Sequence, residues 1–138
     1  MVNADTVTTT TSILRSTKKA LGLPEDYTVF DVDVIMHINT VFAFLNQLGV
    51  GPEEGFSIED DTAVWEDFTT DVRLNAVKSY VYLRVKLLFD PPATSFAISA
   101  FEKQVSEMEW RLNMSYETYT NPNDPLITDI IDGGDHAS

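Results

Sequence analysis

Apolar residues recur at intervals of three and four along three stretches of the chain, and that spacing, the period of one helix face, predicts the main helices. The first stretch carries Ile35, Ile38, Val41, Phe42, Leu45 and Leu48. Thr28 with Asp31 three residues on is a capping-box-like start, Asp33 adds negative charge to the first turn, and Gly49 with Gly51-Pro52 ends it. The second, Val72 to Phe89, has twelve apolar residues out of eighteen, on more than one face: Leu74, Val77, Val81, Val85 and Leu88, but also Tyr80, Leu83 and Leu87. A helix so broadly apolar belongs at the centre of a bundle. Asp71 is placed to cap it and Asp90-Pro91-Pro92 to stop it. The third starts at Thr94 or Ser95 and carries Ile98, Phe101, Val105, Met108 and Leu112 through Asn113.

Weaker signals fill the gaps. Thr11 or Ser12 can cap a short helix, Ile13 to Leu21, with Lys18 and Lys19 in its last turn and Gly22 and Pro24 beyond it. Two to three turns are unstable alone, so this helix must dock, through Ile13, Leu14 and Leu21. Gly49 to Thr70 reads as a long acidic connection with a short extended piece at Phe56-Ser57-Ile58 and a turn of helix around Trp65. Loops of that length are commonly functional or ordered by a partner. After Met114 the chain turns polar, passes Asn121-Pro122-Asn123-Asp124-Pro125, and then carries the apolar pulse Leu126-Ile127-Thr128-Asp129-Ile130-Ile131, which is open equally to docking on a partner and to packing back on the domain.

The expected architecture is an all-α bundle of three main helices plus a short N-terminal helix, with a long acidic loop and an extended C-terminal tail. Its parts are a flexible arm (1–11), a helical domain (12–113) and the tail (114–138). The expected core seam sets Val77, Val81, Val85 and Leu88 against Ile38, Phe42 and Leu45 on one side and Phe101, Val105 and Met108 on the other.

A chain of 138 residues, 43% of them hydrophobic, supports one folded domain. The absence of cysteine removes disulfides, thiolate metal sites and a cysteine nucleophile, and fits a reducing compartment, with synthesis in the cytoplasm. Met1 to Thr11 is Thr-rich and polar, unlike a signal peptide, and Arg73, Lys78, Arg84 and Lys86 interrupt the most apolar helix, which excludes a membrane span. The sequon Asn113-Met114-Ser115 is then a chance match.

Charge changes the picture most. A net charge of −13 argues against sequence-specific nucleic-acid binding, which draws affinity from Lys and Arg on phosphates. Between Leu21 and Val72 there are twelve acids and no Lys or Arg, whereas from Arg73 to Lys103 five bases face only Asp90 and Glu102. A molecule divided this way can contact copies of itself head to tail, the geometry that closes into rings.

No constellation for catalysis, cofactor or metal emerges. His37 follows Asp33 by one helical turn but has no nucleophile beside it, and His136 is the only other histidine, so His37 reads as structural or surface. Glu59-Asp60-Asp61 lacks the alternating ligands and glycine of a calcium loop and reads as a solvated acidic cluster. Gly49-Val50-Gly51-Pro52-Glu53-Glu54-Gly55 lacks the Lys-Ser/Thr of a phosphate cradle and reads as a helix stop and turn. Trp65 and Trp110 are large anchors; Trp110, off the Ile98–Leu112 stripe, is open equally to the core and to a subunit interface.

Asp31-Val32-Asp33-Val34-Ile35-Met36-His37-Ile38-Asn39 followed by Leu45-Asn46-Gln47-Leu48-Gly49-Val50-Gly51-Pro52 resembles a family of tailed-bacteriophage head-tail connector proteins. Phe56-Ser57-Ile58-Glu59-Asp60-Asp61, the run Val77 to Pro92, and Glu109-Trp110-Arg111-Leu112-Asn113 continue the likeness in order, over roughly Ile13 to Asn113. The resemblance implies a non-enzymatic adaptor without cofactors, made in the host cytoplasm and resident in the neck of the virion. It would form a ring, typically twelvefold, beneath the portal protein and present a platform to a stopper or tail-side protein, with DNA passing through the channel unread.

Two sets of residues then become candidates. Leu126, Ile127, Ile130 and Ile131 would dock on the portal or on an adjacent connector. Arg73, Lys78, Arg84 and Lys86 would meet the Glu59, Asp60 and Asp61 region of a neighbouring copy, with Trp110 also at the interface. The charge alone supports one rival, an acidic DNA-mimicking inhibitor of a nucleic-acid-binding protein.

Overall fold

The computed structural model describes residues 11–120, side chains of 115–120 excepted. Its elements are α1 (Ile13–Ala20), α2 (Asp31–Gln47), the single turn α3 (Trp65–Phe68), α4 (Leu74–Phe89) and α5 (Ser95–Thr120). The protein is an all-α bundle, and no strand forms among the described residues.

Local chemistry explains most ends. Ser12 caps α1, its Oγ accepting from Arg15 N–H at 3.2 Å, and Gly22, at φ +80°, ends that helix as Leu23 N–H donates back to Lys18 O at 2.9 Å. Gly49, also at φ +80°, ends α2 the same way, with Val50 N–H donating to Leu45 O at 2.9 Å and the valine side chain buried. Asp71 Oδ1 accepts from Arg73 N–H at 2.7 Å at the start of α4, and Thr94 Oγ1 accepts from Ala97 N–H at 3.1 Å at the start of α5.

The expected capping box at Thr28 does not form. Phe30 occupies the N-cap of α2 with no side-chain bond, because Asp31 is drawn instead to Lys18, whose Nζ lies 2.8 Å from Asp31 Oδ1. α5 also runs to Thr120, past the expected end at Asn113, since no glycine or proline interrupts the chain before Pro122.

α4 is the middle element. It packs against α1, α2 and α5, while α2 and α5 approach at one end, where Asn113 Nδ2 donates to Leu48 O at 3.3 Å. The seam holds as expected for Val77, Val81 and Val85, all fully buried against Ile38, Phe42 and Leu45, with Val105 of α5 closing the other side. Leu88 departs from it and is 43% exposed, because Phe89 turns toward α2 in its place, 5.4 Å from the Phe30 ring and 6.3 Å from His37. Phe101 and Met108 are only partly buried; Tyr80 and Leu112 provide the buried α4–α5 contacts instead.

The acidic connection is built into the core. Val50, Ile58, Trp65 and Phe68 are all buried, and Phe42 of α2 stacks on Phe68 at 4.8 Å and meets Phe56 edge-on at 5.0 Å. Asn39 holds the segment at 56–58, where the sequence predicts a short extended piece: its side chain donates to Ile58 O at 3.0 Å and accepts from Ile58 N–H at 2.8 Å. The start of α1 holds the other end, with Ile13 N–H donating to Ala63 O at 3.0 Å and Trp65 N–H to Thr11 O at 3.2 Å. Trp65 Nε1 also donates to Ser16 Oγ at 2.9 Å, which satisfies two polar groups where water cannot reach.

Candidate functional site

The candidate residues lie on the surface of the bundle or close to it. Among the described residues no group of three acidic or histidine side chains converges on a metal position. His37 is half-buried against Phe89. No helix among these residues is long and apolar enough to cross a membrane.

Most charges expected at a subunit interface have partners within the chain. Arg73 Nη2 lies 2.7 Å from Asp71 Oδ2, and its bonds hold the Asp71 carboxyl below the usual carboxylate range. Arg84 Nη2 reaches Glu109 Oε2 at 3.4 Å, with the guanidinium stacked 4.3 Å from the Phe44 ring, so it ties α2, α4 and α5 together. Lys86 pairs with Asp90 at 2.8 Å, and Lys78 stands 6.0 Å over Trp65.

On the acidic side, Asp61 Oδ2 accepts from Arg15 Nε at 2.9 Å, and Ser12 Oγ donates to the Asp61 carbonyl at 2.8 Å. Asp60 accepts from the hydroxyl and backbone N–H of Thr62, which lowers its pKa. Glu59 is exposed. Within one chain the acidic cluster and the basic helix are separately engaged. Leu126, Ile127, Ile130 and Ile131 lie outside the described residues.

Trp110 is 65% exposed on the outer face of α5, and Phe96, on the same face two heptads earlier, is 85% exposed. Lys103 lies midway between them, and Lys103 and Arg111 make no ion pair among the described residues. A second exposed apolar face, which the main helical stripes do not predict, carries Val29 (68%), Val32 (79%) and Met36 (56%), beside Asp26 and Asp33. Its signal was present, since Val29, Val32 and Met36 also recur at three and four, but the stronger Ile35–Ile38–Val41 stripe masked it.

The fold is an all-α bundle that buries its core and leaves Val32, Met36, Phe96 and Trp110 exposed at its surface. A family model described as "Phage connector protein" matches residues 13–119, and the chain belongs to that family of structural bacteriophage proteins. No curated protein and no solved structure matches the chain.

Proposed function

We propose that this chain is a head-tail adaptor that assembles as a ring on the portal of a DNA-filled head and joins it to a stopper or tail-side protein. The observation that carries the reading is the family match over residues 13–119, nearly the whole described region. The chemistry is compatible with a DNA conduit: a chain of net charge −13 offers few phosphate-binding sites, so a genome can slide past without adhering. A DNA-mimicking inhibitor needs a row of free carboxylates, and Asp31, Asp61, Asp71 and Glu109 here serve partners inside the chain.

The test is to mix the purified full-length protein with heads that carry a portal but lack a neck, then isolate and image them. The expected result is a ring of additional density at the portal vertex. Heads that emerge bare, with the protein left in the supernatant, overturn the reading.

A further inference from the structure

Nine large hydrophobic side chains stand exposed among the described residues, and five of them, Tyr27, Val29, Phe30, Val32 and Met36, fall within ten consecutive positions at the start of α2. They are joined rather than scattered. Tyr27 meets Phe30 edge-on at 5.8 Å, Phe30 meets Phe89 at 5.4 Å, and His37 approaches the same Phe89 ring at 6.3 Å, so the apolar surface runs from the α1–α2 connection to the last turn of α4. Val32 and Met36 stand one turn apart on the open side of α2, whose other side buries Val34, Ile38 and Val41.

Asp33 is exposed in the middle of this surface. It follows Val32 by one position and precedes Met36 and His37 by three and four, the spacings of neighbours on a helix. Asp26 is exposed in the segment that leads into the helix, and neither carboxylate makes an ion pair among the described residues. Leu21 to Val72 holds no Lys or Arg, and Arg15, Lys18 and Lys86 on the flanking elements are paired with Glu25, Asp31 and Asp90. A partner that covers the apolar side chains also takes Asp33 out of water, at a cost that offsets the apolar gain unless the partner supplies a cation.

We propose that this face docks a basic amphipathic helix of another protein, with apolar side chains on Val29, Val32 and Met36 and a Lys or Arg at Asp33. Ridge residues at intervals of three and four are what a second helix packs against. Charge argues against two other occupants. The segment beyond Arg111 has no Lys or Arg and brings further acids, and the same face of a second copy would set Asp33 against Asp33. The proposal rests on the reading of the chain as a connector, for which it supplies a face that holds a protein other than itself.

Three synthetic peptides serve as probes of the full-length protein: an amphipathic helix of leucine and lysine, the same helix with glutamate for lysine, and a lysine–serine peptide without an apolar face. Affinity is read by fluorescence anisotropy and the contact by amide chemical shifts. The leucine–lysine helix should bind and shift residues 27–37, and the other two should bind at least about tenfold more weakly. Val32→Ser with Met36→Ser should weaken that binding about tenfold or more, Asp33→Asn about fivefold with a flatter salt dependence, and Phe96→Ser not at all. Circular dichroism checks that each variant folds as the parent does. A lysine–serine peptide bound as tightly means charge attraction alone and overturns the proposal, as do shifts centred elsewhere or equal binding by the double variant. Shifts at this face on concentrating the protein alone make a second copy the occupant and overturn it too. If the parent is retained on portal-bearing heads while the leucine–lysine helix fails to bind at this face, the docking face is wrong and the connector reading stands. If the parent is not retained, the connector reading fails, and the peptides decide the face independently.

Discussion

Tyr80 shows how a single residue can be central to this fold. Its side chain is fully buried, and its hydroxyl donates to Glu109 Oε2 at 2.7 Å, fixing the carboxylate that Arg84 also approaches. Burial, and then the bond to Glu109, raise its pKa well above the ordinary value near 10.0. The unfolded chain therefore gives up this proton first. The stabilisation is complete below pH ~10 and is lost as the pH climbs toward the folded-state value. Tyr80→Phe should remove that alkaline component, and at neutral pH it should cost about 1–2 kcal/mol, because Glu109 loses a donor. Urea unfolding of both proteins across the alkaline range measures this; an identical pH dependence would show that Tyr80 is not the group responsible.

At the same scale Arg84→Glu should disturb the monomer itself, since it sets a carboxylate against Glu109 and removes the cation from Phe44. The sequence offers Arg84 for a subunit interface; its partner within the chain, Glu109, stands twenty-five positions away and leaves no local signal.

Among the elements, the connection between α2 and α4 carries more structure than its composition announces. Gly51 and Gly55 both have positive φ, +91° and +94°, yet they differ in surroundings. A Cβ on Gly51 would collide with the Phe68 ring, whereas one on Gly55 would meet nothing within 4 Å. Gly55→Ala should therefore cost only the backbone strain, about 1 kcal/mol, and Gly51→Ala clearly more, about 2–4 kcal/mol, as the Phe42–Phe68 stack is displaced. Thermal melts of the two variants separate these costs; equal losses would mean that the ring yields freely. The acidic composition of this segment resembles a solvated loop, while Val50, Ile58, Trp65 and Phe68, spaced too irregularly for any period, supply the part that is buried.

At the scale of the whole fold, the core of the described residues closes between Ile13 and Leu112, with every fully buried large side chain among them inside that span. Truncation after Thr120 should accordingly leave thermal stability within about 0.5 kcal/mol of the full chain. If the tail is the docking segment, the same truncation should weaken retention on portal-bearing heads. Calorimetry and head-binding assays read the two effects independently. A large fall in melting temperature would place Leu126, Ile127, Ile130 and Ile131 in the monomer's own core and sink the docking role.

The sequence by itself determined the helices, their order and the central position of α4, because helical periodicity, glycine stops and proline breaks act within a few residues of one another. It also carried the family likeness, since that rests on runs of residues rather than on contacts. Only the tertiary structure decided which charges are free: the pairs Arg15–Asp61, Lys18–Asp31 and Arg84–Glu109 join residues far apart in the chain. It likewise decided that the long connection belongs to the core and that Val32, Met36, Phe96 and Trp110 remain uncovered. Periodicity shows that a helix has an apolar face, but whether that face is buried depends on what the rest of the chain brings against it.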